Sequence, residues 1–168
     1  NYITNTKSEV KGNPGVYHED VELRVRIFNA DGTLDTSINY STGTVRSLEN
    51  LDLTTLNNGN IVVTFTKLDR DTTVTDSSLQ QETGNDINAV IFDQEGNEVV
   101  SPIILNQIDL SNVSPDKNGE NYSSVTALKG ENGEDDGFIA TWSVRPHTDQ
   151  TKIMARIFNA DGTPRADE

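Results

Sequence analysis

The stretch Arg26-Ile27-Phe28-Asn29-Ala30-Asp31-Gly32-Thr33 returns unchanged as Arg156-Ile157-Phe158-Asn159-Ala160-Asp161-Gly162-Thr163. A looser copy, Val90-Ile91-Phe92-Asp93-Gln94-Glu95-Gly96-Asn97, lies between them. Phe28 and Phe158 are 130 positions apart, with Phe92 64 after the first and 66 before the second. A fixed period of this length marks an array of similar structural units rather than a fold built around one active site.

Outward from these phrases the pattern is that of strands. Val21, Leu23, Val25 and Ile27 alternate with Glu22, Arg24, Arg26 and Phe28, and Ile87, Ala89, Ile91 and Ile153, Ala155, Ile157 repeat the scheme. Period-two alternation of this kind predicts half-buried strands. Asn29, Asp31 and Gly32, with Asp93, Glu95 and Gly96 and with Asn159, Asp161 and Gly162, suit hairpin tips. There an Asn or Asp opens the turn and a Gly takes the left-handed conformation.

A second phrase runs in step with the first. Leu53 to Leu56 followed by Gly59 to Phe65 has its counterpart in Val125 to Leu128 followed by Gly137 to Trp142, the later copy carrying an acidic insertion. Asn58-Gly59 and Asp136-Gly137 read as tight turns inside these pairs. Asn1 to Lys7 aligns with Ile61 to Lys67 as a third copy, which puts Asn5 at the place of Phe65. The polar stretches 69–86 and 108–122 read as long loops.

The expected fold is all-β, with ten strands and no helix. Its units are tandem four-stranded antiparallel meanders, blade-like and either propeller-like or stacked as sheets; the alternative is a two-sheet β-sandwich. The units divide as 1–48, a partial repeat, 49–108, a full one, and 109–168, a second partial one, together one β domain cut from a longer array. On a lone sheet with one wet side, Phe28, Phe92 and Phe158 would be poorly placed opposite the aliphatic row, but a neighbouring unit would cover them.

Composition narrows the function. The 168 residues carry a net charge of −14, with thirteen scattered Lys and Arg, which argues against nucleic acid or an anionic membrane as partner. Apolar residues make up 33%, so the core is thin for the chain length. There is no cysteine, hence no disulfide and no thiolate metal site, and no apolar run approaches the roughly 20 residues of a membrane span. Nucleophile elbows, His-Glu-x-x-His motifs and phosphate loops are absent from the sequence, and the two histidines, His18 and His147, are far apart in it. The many carboxylates leave a glycosidase pair a remote alternative only.

Val125-Thr-Ala-Leu128, Gly137-Phe-Ile-Ala-Thr-Trp142 and Ala155-Arg-Ile-Phe-Asn-Ala-Asp-Gly162 resemble the tandem repeats of large secreted bacterial proteins of the haemolysin-type (RTX) and surface-adhesin class; Leu53 to Phe65 with Ala89 to Gly96 match loosely, and the resemblance spans most of residues 21–165. The resemblance implies an extracellular or cell-surface, non-enzymatic spacer, adhesive module or filament segment. The Gly-Gly-x-Gly-x-Asp nonapeptide that gives RTX proteins their calcium roll does not occur here, so calcium dependence does not carry over.

Acidic loops remain as calcium candidates in their own right: Asp116, Asn118 and Glu120 in one, Glu134, Asp135 and Asp136 in the other. Ca²⁺ takes six to eight oxygens of this type, although solvated turns chosen for backbone shape have the same composition. Trp142 either stacks on a sugar or, by its register with Phe138 and Ala140, belongs to the core. A cell-surface glycan bound by a lectin-like propeller fragment is the rival function. The end strands, with Tyr2, Ile3 and Thr4 on one and Met154, Arg156 and Phe158 on the other, are expected to offer edges to neighbouring copies or flanking repeats.

Overall fold

The computed structural model describes residues 2–9, 17–44, 47–70, 82–106, 119–130, 135–145 and 151–165. Every regular element among them is a strand: β1 (Tyr2–Glu9), β2 (Tyr17–Phe28), β3 (Leu34–Thr44), β4 (Ser47–Thr55), β5 (Ile61–Arg70), β6 (Glu82–Phe92), β7 (Glu98–Ile104), β8 (Gly119–Lys129), β9 (Asp135–Arg145) and β10 (Lys152–Phe158).

The strands fall into three meanders. β1-β2-β3 form one sheet, β4 to β7 pair in sequence order, and β8-β9-β10 do the same. All these pairings are antiparallel. The second and third meanders also touch at one corner, a parallel pairing of Asn85 with Gly119, which joins their seven strands into one sheet path. The middle unit starts at Ser47, two residues before the boundary expected at 49.

Two separate apolar seams hold the layers together. Leu23, Val25 and Ile38 of the first unit pack against Leu48, Ile61, Val63, Phe65, Val90 and Phe92 of the second. On its other side the second unit presents Val62, Ile87, Ala89 and Ile91 to Val125, Phe138, Ala140, Trp142 and Phe158 of the third. The middle unit is therefore covered on both faces. This corrects the reading of β6 as half-buried, because Ile87 through Phe92 are all buried. Each buried Phe or Ile adds roughly 1.5–3 kcal/mol, so a thin core in percentage terms still holds when the middle sheet buries both of its faces, one in each seam.

Register carries a further correction. β1 pairs Tyr2 with Arg24, while Asn88 and Met154, the residues equivalent to Arg24, pair with Phe65 and Trp142. Tyr2, and not Asn5, occupies the place of Phe65. Sequence alignment missed this because Ile3-Thr4-Asn5-Thr6-Lys7 matches the apolar and Thr pattern of β5 three residues out of step, whereas pairing puts an aromatic at this position in all three units.

The strands also run further than their composition suggests. The stretches 69–86 and 108–122 were expected to be loops, yet β5 reaches Arg70, β6 begins at Glu82 and β8 at Gly119. Asn and Asp have poor strand propensity, and cross-strand partners such as Leu68↔Asn85 override it. Asp136-Gly137 is likewise not a turn but lies inside β9. Gly137 sits at φ 81°, and a Cβ there would fall on the Phe158 carbonyl oxygen, so this glycine serves a close backbone approach.

Candidate functional site

The three tips share one geometry. In each, the first residue's N–H donates to the carbonyl of the fifth, and the glycine N–H donates back to the first carbonyl: Asn29 with Thr33 at 2.9 Å, Asp93 with Asn97 at 2.9 Å, Asn159 with Thr163 at 2.8 Å. The turn Leu56 to Asn60 closes in the same way. The acidic side chains are used inside the turns. Asp31 Oδ1 accepts from the Thr33 N–H at 2.9 Å and from its hydroxyl at 2.6 Å, and Asp161 repeats both distances with Thr163. In the middle copy the first residue does this instead: Asp93 accepts from the N–H and the side-chain amide of Asn97. Hydrogen bonds from the Thr33 and Thr163 side chains and backbone hold the Asp31 and Asp161 carboxyls below their ordinary range, and the Asn97 side chain does so first of all for Asp93. Glu95 stands exposed in its tip.

The tips also seat on neighbours. A Cβ on Gly96 would meet Ile38 and Thr36 of the preceding unit's β3, and one on Gly162 would meet Ile103 and Val100 of β7. Nothing lies within 4 Å of the corresponding point on Gly32. The phenylalanines preceding the tips follow suit. Phe92 and Phe158 are 2% exposed; Phe28, with no preceding unit among the described residues, is 56% exposed. Phe92 meets Tyr40 edge to face at 5.7 Å between centroids, and Phe158 stacks on Phe138 at 5.1 Å.

A polar seam joins the inner strands β4 and β8, and nothing in the sequence announced it. Asp52 Oδ2 accepts from the Val125 N–H at 2.9 Å and the Ser124 hydroxyl at 2.8 Å, and Thr54 Oγ1 accepts from the Ala127 N–H at 3.2 Å. Side-chain oxygens thus satisfy backbone donors that a sheet ladder would otherwise take. Both strands carry a register shift at the same place, between Glu49 and Asp52 and between Asn121 and Ser124. There Asn50 (φ 52°) and Tyr122 (φ 57°) adopt the left-handed conformation, ordinary for Asn and strained for Tyr.

Of the calcium candidates, Asp116, Asn118 and Glu134 lie outside the described residues, and Asp135 and Asp136 are described only as backbone of β9. Glu120 is buried at the start of β8. Burial pushes its carboxyl up to about 7, with the Asp86 carboxylate adding to the rise and the Asn106 side chain opposing it. Asn106 in turn donates to Asp86 at 3.3 Å and accepts from the Ile87 N–H at 3.0 Å. Among the described residues no group of three or more His, Cys, Asp or Glu is placed to hold a metal ion.

Trp142 is buried in the seam between the second and third units. A groove of about 530 Å³ lies beside it, lined by Asn121, Tyr122, Thr141, Ser143 and Ile153. The expected edges are the end strands of their sheet paths: β1, with Tyr2, Ile3 and Thr4, and β10, with Met154, Arg156 and Phe158. The free side of β10 is partly closed by a bridge from Phe158 to Pro164 and by the Arg165 N–H donating to Ile157. No family model, curated protein or solved structure matches this chain.

Proposed function

We propose that this chain is a non-enzymatic structural segment of a bacterial extracellular repeat protein, a spacer or adhesive module. One observation carries the reading. The positions that recur between copies are those that bury one unit against the next: Phe92 and Phe158 before the tips, Gly96 and Gly162 within them, and Leu23, Val25 and Ile87, Ala89 on the opposite face. The repeated sequence is used for unit-to-unit packing and turn geometry, which is what an extended load-bearing or spacing element requires. The absence of cysteine and the strongly acidic charge suit a secreted bacterial protein stabilised by packing alone.

A lectin-like reading has one observation in its favour. Tyr122 is 73% exposed beside the hydroxyls and amide of Thr141, Ser143 and Asn121, a combination of aromatic face and polar rim that sugars use. A glycan array and a panel of glycoside substrates test the two together. The structural reading expects no turnover and no sugar binding that depends on Tyr122; micromolar binding lost in Tyr122→Ala establishes the lectin, and hydrolysis establishes an enzyme.

A further inference from the structure

Among the described residues the outer faces of the first and third units are open in complementary ways. In the first two units the row Leu23, Val25, Ile27 and its equivalent Ile87, Ala89, Ile91 are packed into the seam with the following unit. The same row in the third unit, Ile153, Ala155 and Ile157, is exposed, Ile153 to 73%. Beside it on β9, Thr141 and Ser143 are half-buried, whereas their equivalents in the middle unit, Thr64 and Thr66, are buried outright. At the other end, Phe28 and its cross-strand partner Leu34 lie open together, and the space over Gly32 is empty. In the second and third units the matching positions, Phe92 with Gly96 and Phe158 with Gly162, are filled by the unit before.

We propose that a second copy of this chain covers these faces: the Ile153-Ala155-Ile157 face of one copy packs on the Phe28-Leu34 face of the next, continuing head to tail the contact made twice within the chain. The proposal rests on the structural reading above and names its partner and surfaces. What identifies the occupant is continuity: inside the chain, these rows pack against the neighbouring unit in both seams. The contact is heterologous, since the two faces differ, so it propagates into a line rather than stopping at a two-fold dimer. The net charge of −14 opposes it, so added salt strengthens it.

Sedimentation of the purified chain tests the proposal. The wild type is expected to show mass-average growth with concentration up to about 1 mM, the range of weak specific contacts, and more of it at higher salt. Both Phe28→Asp and Ile153→Asp alter exposed side chains and leave the internal seams untouched; circular dichroism checks that each stays folded. Each alone is expected to remain monomeric, because each has lost one of the two faces. Mixed one to one, they are expected to form a dimer and no larger species, since the intact Ile153 face of one variant meets the intact Phe28 face of the other. A wild type that is monomeric throughout overturns the proposal, as does either variant associating like the wild type or a mixture that fails to dimerise. None of these outcomes bears on glycan binding or hydrolysis, which test the structural reading separately.

Discussion

Phe28 and Phe92 hold the same place in successive copies of one repeat, yet Phe92 is in edge-to-face contact with Tyr40 of the neighbouring unit while Phe28 faces outward. Equivalent positions of one repeat thus meet two environments: β3 of the first unit lies against Phe92, and among the described residues no such strand covers Phe28. The preceding unit likewise separates Gly96 from Gly32, and the following unit separates Ile87 from Ile153.

Gly32 and Gly162 separate backbone strain from packing. Both have positive φ, 85° and 82°, so alanine at either costs roughly 1–2 kcal/mol for the left-handed conformation. At Gly162 the new Cβ would also stand 2.9 Å from Ile103 Cδ1, adding roughly 1 kcal/mol of overpacking. Urea unfolding is expected to rank Gly162→Ala below Gly32→Ala; equal midpoints would mean that the tip is not seated on β7.

Asp52 ties the second unit to the third. Removing its carboxylate in Asp52→Ala leaves the Val125 N–H and the Ser124 hydroxyl without their acceptor, a loss of about 1–3 kcal/mol. Asp52→Asn keeps an acceptor oxygen and is expected to recover most of it. Hydrogen exchange at the Val125 amide is the local readout, with faster exchange in the alanine variant than in the asparagine one.

Glu120 makes stability depend on pH in an unusual direction. Its carboxyl titrates at about 7 in the folded chain against an ordinary 4.5, so the folded state holds the proton more tightly. That contribution is fully present below about pH 4.5 and is lost as pH rises through 7, a cost of roughly 1–3 kcal/mol at alkaline pH. Glu120→Gln, permanently neutral, is expected to abolish the decline between pH 5 and 8. A variant that declines as the wild type does would place the titration elsewhere.

The tip carboxylates act in the opposite sense. Asp31, Asp93 and Asp161 have lowered folded pKa values, so what they add is held above the ordinary carboxylate range and lost as pH falls through the depressed folded value. Carbon-detected titration should place all three midpoints below the ordinary range. Thr33→Ala, which removes the hydroxyl bonded to Asp31, is expected to raise that midpoint alone.

Much of this architecture can be read along the sequence because its signals are local. The tips declare themselves through Asn29 to Gly32 and its copies, and the strands through their alternation. Leu53 and Val125 align by sequence and pair with equivalent residues, Val63 and Ala140. The illegible parts depend on partners far away in the chain. The register of β1 is set by pairing Tyr2 with Arg24, and the polar seam joins Asp52 to Val125 across more than seventy residues. The bulge at Tyr122 has no turn residue to announce it, although Asn50 at the equivalent place hints at a left-handed backbone. The stacking faces were half legible: Phe28, Phe92 and Phe158 called for a covering unit, but which of them has one depends on the order of units.

The central claim is that each unit's repeated positions are buried by its neighbours, and alanine at the three equivalent phenylalanines tests it most directly. Phe92→Ala and Phe158→Ala each lose a fully buried ring and are expected to cost about 3–5 kcal/mol, whereas Phe28→Ala, measured at low concentration where copies do not associate, is expected to cost less than about 1 kcal/mol. Three equal losses in equilibrium unfolding would contradict the account.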